Sequence, residues 1–177
     1  MKPRFRLPMS AEQAYDCLLA AVMAEVAFRH RSFYETEDTK SQLHQMANWI
    51  TSDSSKFGIL LCGECGNGKS TLLKAFQQLL NFLSIPYPDG QGNYGIHITD
   101  SKSVAYLGKT DYKAFIQLSQ KKMLGIDDLG NEPREVMDFG NVVTPVIDLL
   151  TMRYDEQLFT IITTNLTPKQ IREHYGD

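Results

Sequence analysis

The run Gly63-Glu64-Cys65-Gly66-Asn67-Gly68-Lys69-Ser70-Thr71 has the residue types and spacing to hold a polyphosphate. Backbone N–H groups reach a phosphate closely only where no side chain intervenes, and Gly63, Gly66 and Gly68 meet that demand. A helix opening at Lys69 adds the positive end of its dipole. Lys69 brings a point charge to the β/γ oxygens, and the Ser70 hydroxyl is a ligand for Mg2+. This composition would produce the bare G-x-x-x-x-G-K-[ST] pattern by chance in about 0.6% of such chains. Residues 63–71 are therefore candidate nucleotide-binding positions, with Lys69 also a catalytic candidate.

Two further groups can serve a bound Mg-nucleotide. Asp127 and Asp128 end the apolar run Met123–Ile126, at the strand edge where α/β sheets bind ligands. Asp127 is assigned to the metal and Asp128 to polarising the attacking water, and the two roles are exchangeable. The bland alternative for the pair is a solvated turn. Thr163-Thr164-Asn165 ends another apolar run, from which Asn165 can reach a γ-phosphate and the lytic water. Its more ordinary uses are as a turn residue or an N-cap.

Other candidates carry less. Cys62-x-x-Cys65 has redox spacing but overlaps the phosphate loop, so a redox role is disfavoured. The four histidines show no ligand spacing, which leaves Mg2+ as the only metal implied. Lys2, Arg4 and Arg6, then Arg29 and Arg31, form small basic clusters whose favoured reading is a solvated surface.

These side chains need a scaffold, and the chain has the pattern of one. FGILLC (57–62) is a short continuous apolar run, as in a strand buried on both faces of a parallel sheet. A helix should follow the phosphate loop to about Phe82. Turn-rich residues 85–95 precede a strand at 95–99, helical pieces at 101–107 and 111–120, and a third strand at KMLGIDD. A helix is expected over 141–154, with Val142, Val143, Val146 and Leu149 apolar, then a strand at 158–164. Thr167-Pro168 with Gln170 opens a last helix. Upstream, Tyr15, Leu18, Leu19, Val22, Met23 and Val26 make a helical stripe behind a Ser10/Gln13 capping box. Leu43, Met46, Ala47 and Ile50 make a second, with Thr39/Gln42 as its capping box, before a linker at 51–56. The expected fold is a P-loop NTPase three-layer αβα core with a mainly parallel sheet over 56–177, preceded by a helical extension over 1–55.

Length and composition agree with an ordinary globular chain. Its 177 residues are 42% hydrophobic and 22% charged, which excludes a disordered or fibrous protein. No run reaches the ~18 residues of a membrane span, and no signal peptide is evident, so no membrane role and a cytoplasmic location are expected. Three cysteines, an odd number, fit a reducing compartment. The net charge of −3 argues against bulk electrostatic binding of nucleic acid.

Asp127-Asp128-Leu129-Gly130 also fits the D-x-x-G of GTPases, but the fourth strand exits as TTNLTPKQ rather than N-K-x-D, so GTPase is disfavoured. The seven arginines are scattered, unlike a small-molecule kinase lid. The ordered set GECGNGKST, LGIDDLGNE, a helix ending in MRY, and TIITTNL resembles the AAA+ ATPases of the bacterial helicase-loader (DnaC/DnaI) and IstB-type transposition-helper group. By that resemblance Asp127 and Asp128 match the Walker B pair and Asn165 the sensor-1 position, while Glu132 and Arg153 match recurring family positions of less certain role. It implies ATP with Mg2+, homo-oligomeric assembly, contact with single-stranded DNA, and a replicative helicase or transposase as partner. A nucleotide-binding interaction module without turnover is the alternative from another class. The family continues with an arginine finger, a fifth strand beside the P-loop strand and a helical lid, whereas this sequence stops at Tyr175-Gly176-Asp177. The expectation is a core cut one strand short, its P-loop strand an exposed apolar edge, binding nucleotide with little hydrolysis.

Overall fold

A computed structural model describes the backbone of residues 4–133, 136–138 and 141–176, and the side chains of these outside 136–143. Lys2 and Asp177 lie outside the described residues, as do the side chains of Val142 and Val143. In chain order the elements are α1 (Ala11–Phe28), α2 (Glu37–Thr51), β1 (Gly58–Cys62), α3 (Lys69–Leu83), β2 (His97–Asp100), α4 (Ser101–Thr110), α5 (Tyr112–Ser119), β3 (Met123–Leu129), β4 (Val136–Asp138), β5 (Asn141–Val143), α6 (Pro145–Asp155), β6 (Phe159–Thr164) and α7 (Pro168–Tyr175). They form two compact units. One comprises the chain up to Lys56 together with Gly66–Ile96, the other Phe57–Cys65 together with His97 onward.

In the first unit α1 packs against both α2 and α3. The Ser10/Gln13 capping box forms as expected. The buried stripe of α1 runs through Ala14, Leu18, Val22 and Glu25, whereas Met23 is 49% exposed. Glu25 tolerates burial because its two oxygens are both bonded. Oε1 accepts from Arg29 Nε (3.0 Å), and Oε2 accepts from Gln78 Nε2 of α3 (2.5 Å). The expected face of α2 is buried in full. Its capping differs, however: the helix starts three residues early, with Thr36 accepting from Thr39 N and Glu37 and Asp38 in the first turn, where the dipole favours them. The first basic cluster is not a free surface. Arg4 lies over the Trp49 ring and donates to the carbonyls of Trp49 and Ser52, which end α2, while Arg6 pairs with Asp53. The last carbonyls of a helix have no partner within it, and Arg4 serves two of them. Residues 85–95 close into a small loop bridged at Pro86 and Asn93, with the Tyr94 ring against Phe5.

The second unit is built on a four-stranded parallel sheet of order β1-β6-β3-β2. One face is covered by α4, α5 and α6, whose Val104, Phe115, Val146 and Leu149 pack on Leu124 and Ile126 of β3. β1 takes a sheet edge, as the resemblance implied, but the burial on both faces expected from its apolar run does not form: none of its residues is buried and Leu60 is 39% exposed, because a strand at the edge is bordered on one side only. The expected helix at 141–154 is shorter. Residues 141–143 instead form β5, antiparallel to β4, and α6 begins at Pro145. Proline cannot donate within a helix and biases the preceding residue, here Thr144, away from helical backbone. α7 has the expected Thr167/Gln170 capping box.

Candidate nucleotide-binding site

β1 leads directly into the glycine-rich loop. Gly66 and Gly68 adopt left-handed backbone, with φ of +90° and +86°. A Cβ at either would meet nothing within 4 Å. The demand for glycine there comes from the backbone turn rather than from crowding. Gly68 is the N-cap of α3, so no side chain of the capping residue competes for the amides of the first turn. Lys69 is only 5% exposed and donates from Nζ to Asn67 Oδ1 at 2.9 Å. Glu64 and Cys65 are exposed, while Asn67, Ser70 and Thr71 are half-buried. Gly66 to Thr71 belong to the first unit, whereas Gly63, Glu64 and Cys65 belong to the second.

The second unit gathers the remaining candidates on one edge. The four strands of its main sheet are parallel, so their carboxyl ends face the same way, and Cys62 is paired with Thr164, Thr164 with Leu129, and Asp100 with Asp127. Gly63, exposed Asn165, half-buried Asp127 and Asp128, and Asp100 therefore line one sheet edge. At the acidic pair the ladder is irregular. Ile126 pairs with Ile162 and Leu129 with Thr164, which leaves two residues of β3 opposite Thr163 alone. Such a bulge bends the strand and re-aims side chains. Asp128 sits at φ +56°, a conformation that asparagine and aspartate tolerate better than most residues.

Hydroxyls hold this turn. Thr163 Oγ1, wholly buried, donates to Asp127 Oδ1 (2.5 Å) and accepts from Asp128 N (2.9 Å). Ser101 Oγ donates to the Asp128 carbonyl (2.7 Å), and Thr164 Oγ1 to the Leu129 carbonyl (2.7 Å). Buried Glu132 accepts from Gly130 N (2.8 Å) and from the Tyr175 hydroxyl of α7. Glu132 thus ties the turn to the last helix. Sequence reasoning passed over Asp100, the N-cap of α4, although Asp-x-x-Ser at the end of a strand was the available signal. Its bonds from Ser103 hold the carboxyl below its ordinary pKa.

Arg153 stands apart from this edge. It is 1% exposed and donates to the carbonyls of Ser119, Lys121 and Phe159 and to Thr160 Oγ1. These groups surround the amino ends of β3 and β6, so Arg153 is structural. Burial alone draws its pKa down to about 10. Cys62 and Cys65 form no disulfide. Among the described residues no helix is long and apolar enough to cross a membrane.

The Ser70 hydroxyl in the first unit and the Asp127 carboxylate in the second are each oxygen donors of the kind a hard cation such as Mg2+ takes, and the open positions beside Gly66 and Gly68 leave room for a phosphate approaching the loop backbone.

No protein-family model matches the chain, and no curated protein matches it by sequence. Solved structures do. The DnaC helicase loader aligns with a TM-score of 0.56 at 21% identity, over 81% of this chain and 84% of that one. DnaI aligns with a TM-score of 0.56 at 20% identity, over 97% and 84%. AMPPCP-bound DnaA from Aquifex aeolicus aligns with a TM-score of 0.54 at 15% identity, over 81% of this chain and 43% of the DnaA chain. The likeness is one of fold: the chain shares the mixed α/β fold, with its parallel four-stranded sheet, of the DnaC helicase loader and DnaI structures.

Proposed function

We propose that the protein is a Mg-ATP-binding AAA+ protein that acts on a replicative helicase in the manner of a helicase loader. The carrying observation is the left-handed Gly66 and Gly68 leading into buried Lys69 at the start of α3, in the loop that follows β1, a strand of the sheet in which β3 carries Asp127-Asp128 and β6 runs into Asn165. In this reading the loop amides from Gly63 to Thr71 surround the phosphates, and Lys69 neutralises the β/γ oxygens. Ser70 and Asp127 hold Mg2+, Asp128 orients the attacking water, and Asn165 reads the γ-phosphate. Bound Mg2+ supplies charge neutralisation at the phosphates. Exchange of ATP for ADP then switches the contacts that these loops make, an order–disorder device of the NTPase kind. The helicase as partner rests on the likeness to a structure described as a helicase loader. Single-stranded DNA, homo-oligomerisation and a cytoplasmic location belong to the same reading.

Calorimetric titration with ATP tests it. Lys69→Ala removes charge-assisted bonds worth about 1.5–3 kcal/mol, so affinity should fall about 10–100-fold while the fold is retained by circular dichroism. Unchanged ATP affinity in Lys69→Ala refutes the phosphate-loop assignment.

A further inference from the structure

We infer that Thr163 is the positioning residue for the acidic pair, fixing the geometry in which Asp127 and Asp128 meet a metal-bound nucleotide. The inference rests on the function proposed above. At the bulge two residues of β3 face one of β6, and that one residue is Thr163. Its hydroxyl is used in both directions, donating to the Asp127 carboxylate at 2.5 Å and accepting the Asp128 amide at 2.9 Å. The first distance is that of a charge-assisted O–H···O⁻ bond, the stronger kind. The second pins the backbone of a residue at φ +56°, a conformation that persists only when its surroundings hold it. One buried oxygen thus bonds both the Asp127 carboxylate and the backbone from which the Asp128 side chain departs. Valine has the shape of threonine and can do neither. Serine can do both.

The role differs from packing in what it predicts. Loop binding of phosphate through residues 63–71 does not use the acidic pair, whereas the Mg2+-dependent part of binding does. The test is calorimetric titration of a non-hydrolysable ATP analogue into wild type, Thr163→Val and Thr163→Ser, in EDTA and in excess Mg2+, with thermal unfolding of each. Thr163→Val should bind within about twofold of wild type in EDTA but lose about 10–100-fold of the gain from Mg2+, the usual cost of removing a partner of a metal ligand. Thr163→Ser should keep the gain. If Thr163→Val does not fold, Thr163→Ala is compared with Thr163→Ser in the same way. A wild-type Mg2+ gain in the hydroxyl-free variant, or an equal loss with and without Mg2+, overturns the positioning role. Wild type that binds no nucleotide refutes the function proposed above and this inference with it. Wild type that binds but gains nothing from Mg2+ refutes the metal assignment alone.

Discussion

Replacing Arg153 with methionine asks whether this buried guanidinium serves the site or the scaffold. The guanidinium is 1% exposed, and its partners are three carbonyls and the Thr160 hydroxyl. Methionine of similar length forfeits four charge-assisted bonds, each worth about 1.5–3 kcal/mol. Against that stands the cost of burying the charge. Burial draws the pKa down from its ordinary value to about 10, a shift that corresponds to about 3 kcal/mol. Burying the methionine side chain returns about 2 kcal/mol more. With mid-range values the balance is a loss of about 4 kcal/mol, or about 10 °C in Tm. Urea titration followed by far-UV circular dichroism reads this directly. The chain's one tryptophan, Trp49, lies in the other unit, so its fluorescence reports whether the loss spreads there. A change below about 1 kcal/mol would show that the bond and desolvation magnitudes used here do not apply to this residue. The second half of the prediction concerns function. Thr160 and Asn165 are five residues apart along β6, which is about 17 Å in an extended strand. ATP affinity of the folded variant should therefore stay within about twofold. A tenfold fall at a temperature where Arg153→Met is folded would make Arg153 a site residue and refute the scaffold argument.

Two other perturbations follow from backbone and capping geometry. Gly130→Ala places a methyl 2.6 Å from Leu166 Cδ1 in a residue at φ +101°. It should cost about 2–4 kcal/mol, from left-handed strain and overpacking together. Thermal unfolding of Gly130→Ala with Leu166→Ala should recover only the steric part, and full recovery would show that the conformation costs nothing. Asp100→Ala removes the N-cap of α4 and should cost about 1 kcal/mol at neutral pH. The folded carboxyl titrates below its ordinary 3.8. Its contribution is therefore complete above that value and disappears as pH falls through the lowered folded pKa. Wild type and Asp100→Ala should converge in stability in that acid window. A difference that persisted there would assign the effect to packing instead.

What could be read in advance was whatever the chain settles within a few residues. Ser10/Gln13 and Thr167/Gln170 close their boxes over three residues, so residue type and spacing suffice. At α2 the same logic chose Thr39 because Gln42 completes a box, yet Thr36 caps the helix. Either hydroxyl satisfies the local rule, and the acidic first turn behind Thr36 decided between them. At 141–143 the apolar run was continuous across Pro145, and helical periodicity carried straight through a residue that can only begin a helix. The Met23 and Glu25 exchange in α1 has a different origin. Glu25 is buried because Gln78, 53 residues away, meets its carboxylate, and no window along α1 contains that fact.

The candidate site divides in the same way, and β6 shows where. The glycines, Lys69, the acidic pair and Asn165 belong to short runs whose types announce their chemistry. The hydroxyls that set the acidic turn do not: Ser101 reaches Asp128 across 27 residues and Thr163 reaches Asp127 across 36. In the sequence Thr160 and Thr163 are both β-branched residues of an apolar strand, justified by strand propensity alone. In the structure they have opposite assignments. Thr160, at the amino end, accepts from Arg153 and passes a bond to the Leu158 carbonyl, which helps to satisfy a buried cation far from the loop edge. Thr163, at the carboxyl end, gives its proton to a carboxylate and takes one from a left-handed amide. Strand position separates the two roles, because only the carboxyl end of a parallel strand meets the turn where the acids sit. The distinction becomes visible once register is known: the two-for-one bulge at Asp127-Asp128 selects Thr163, and no property of threonine does.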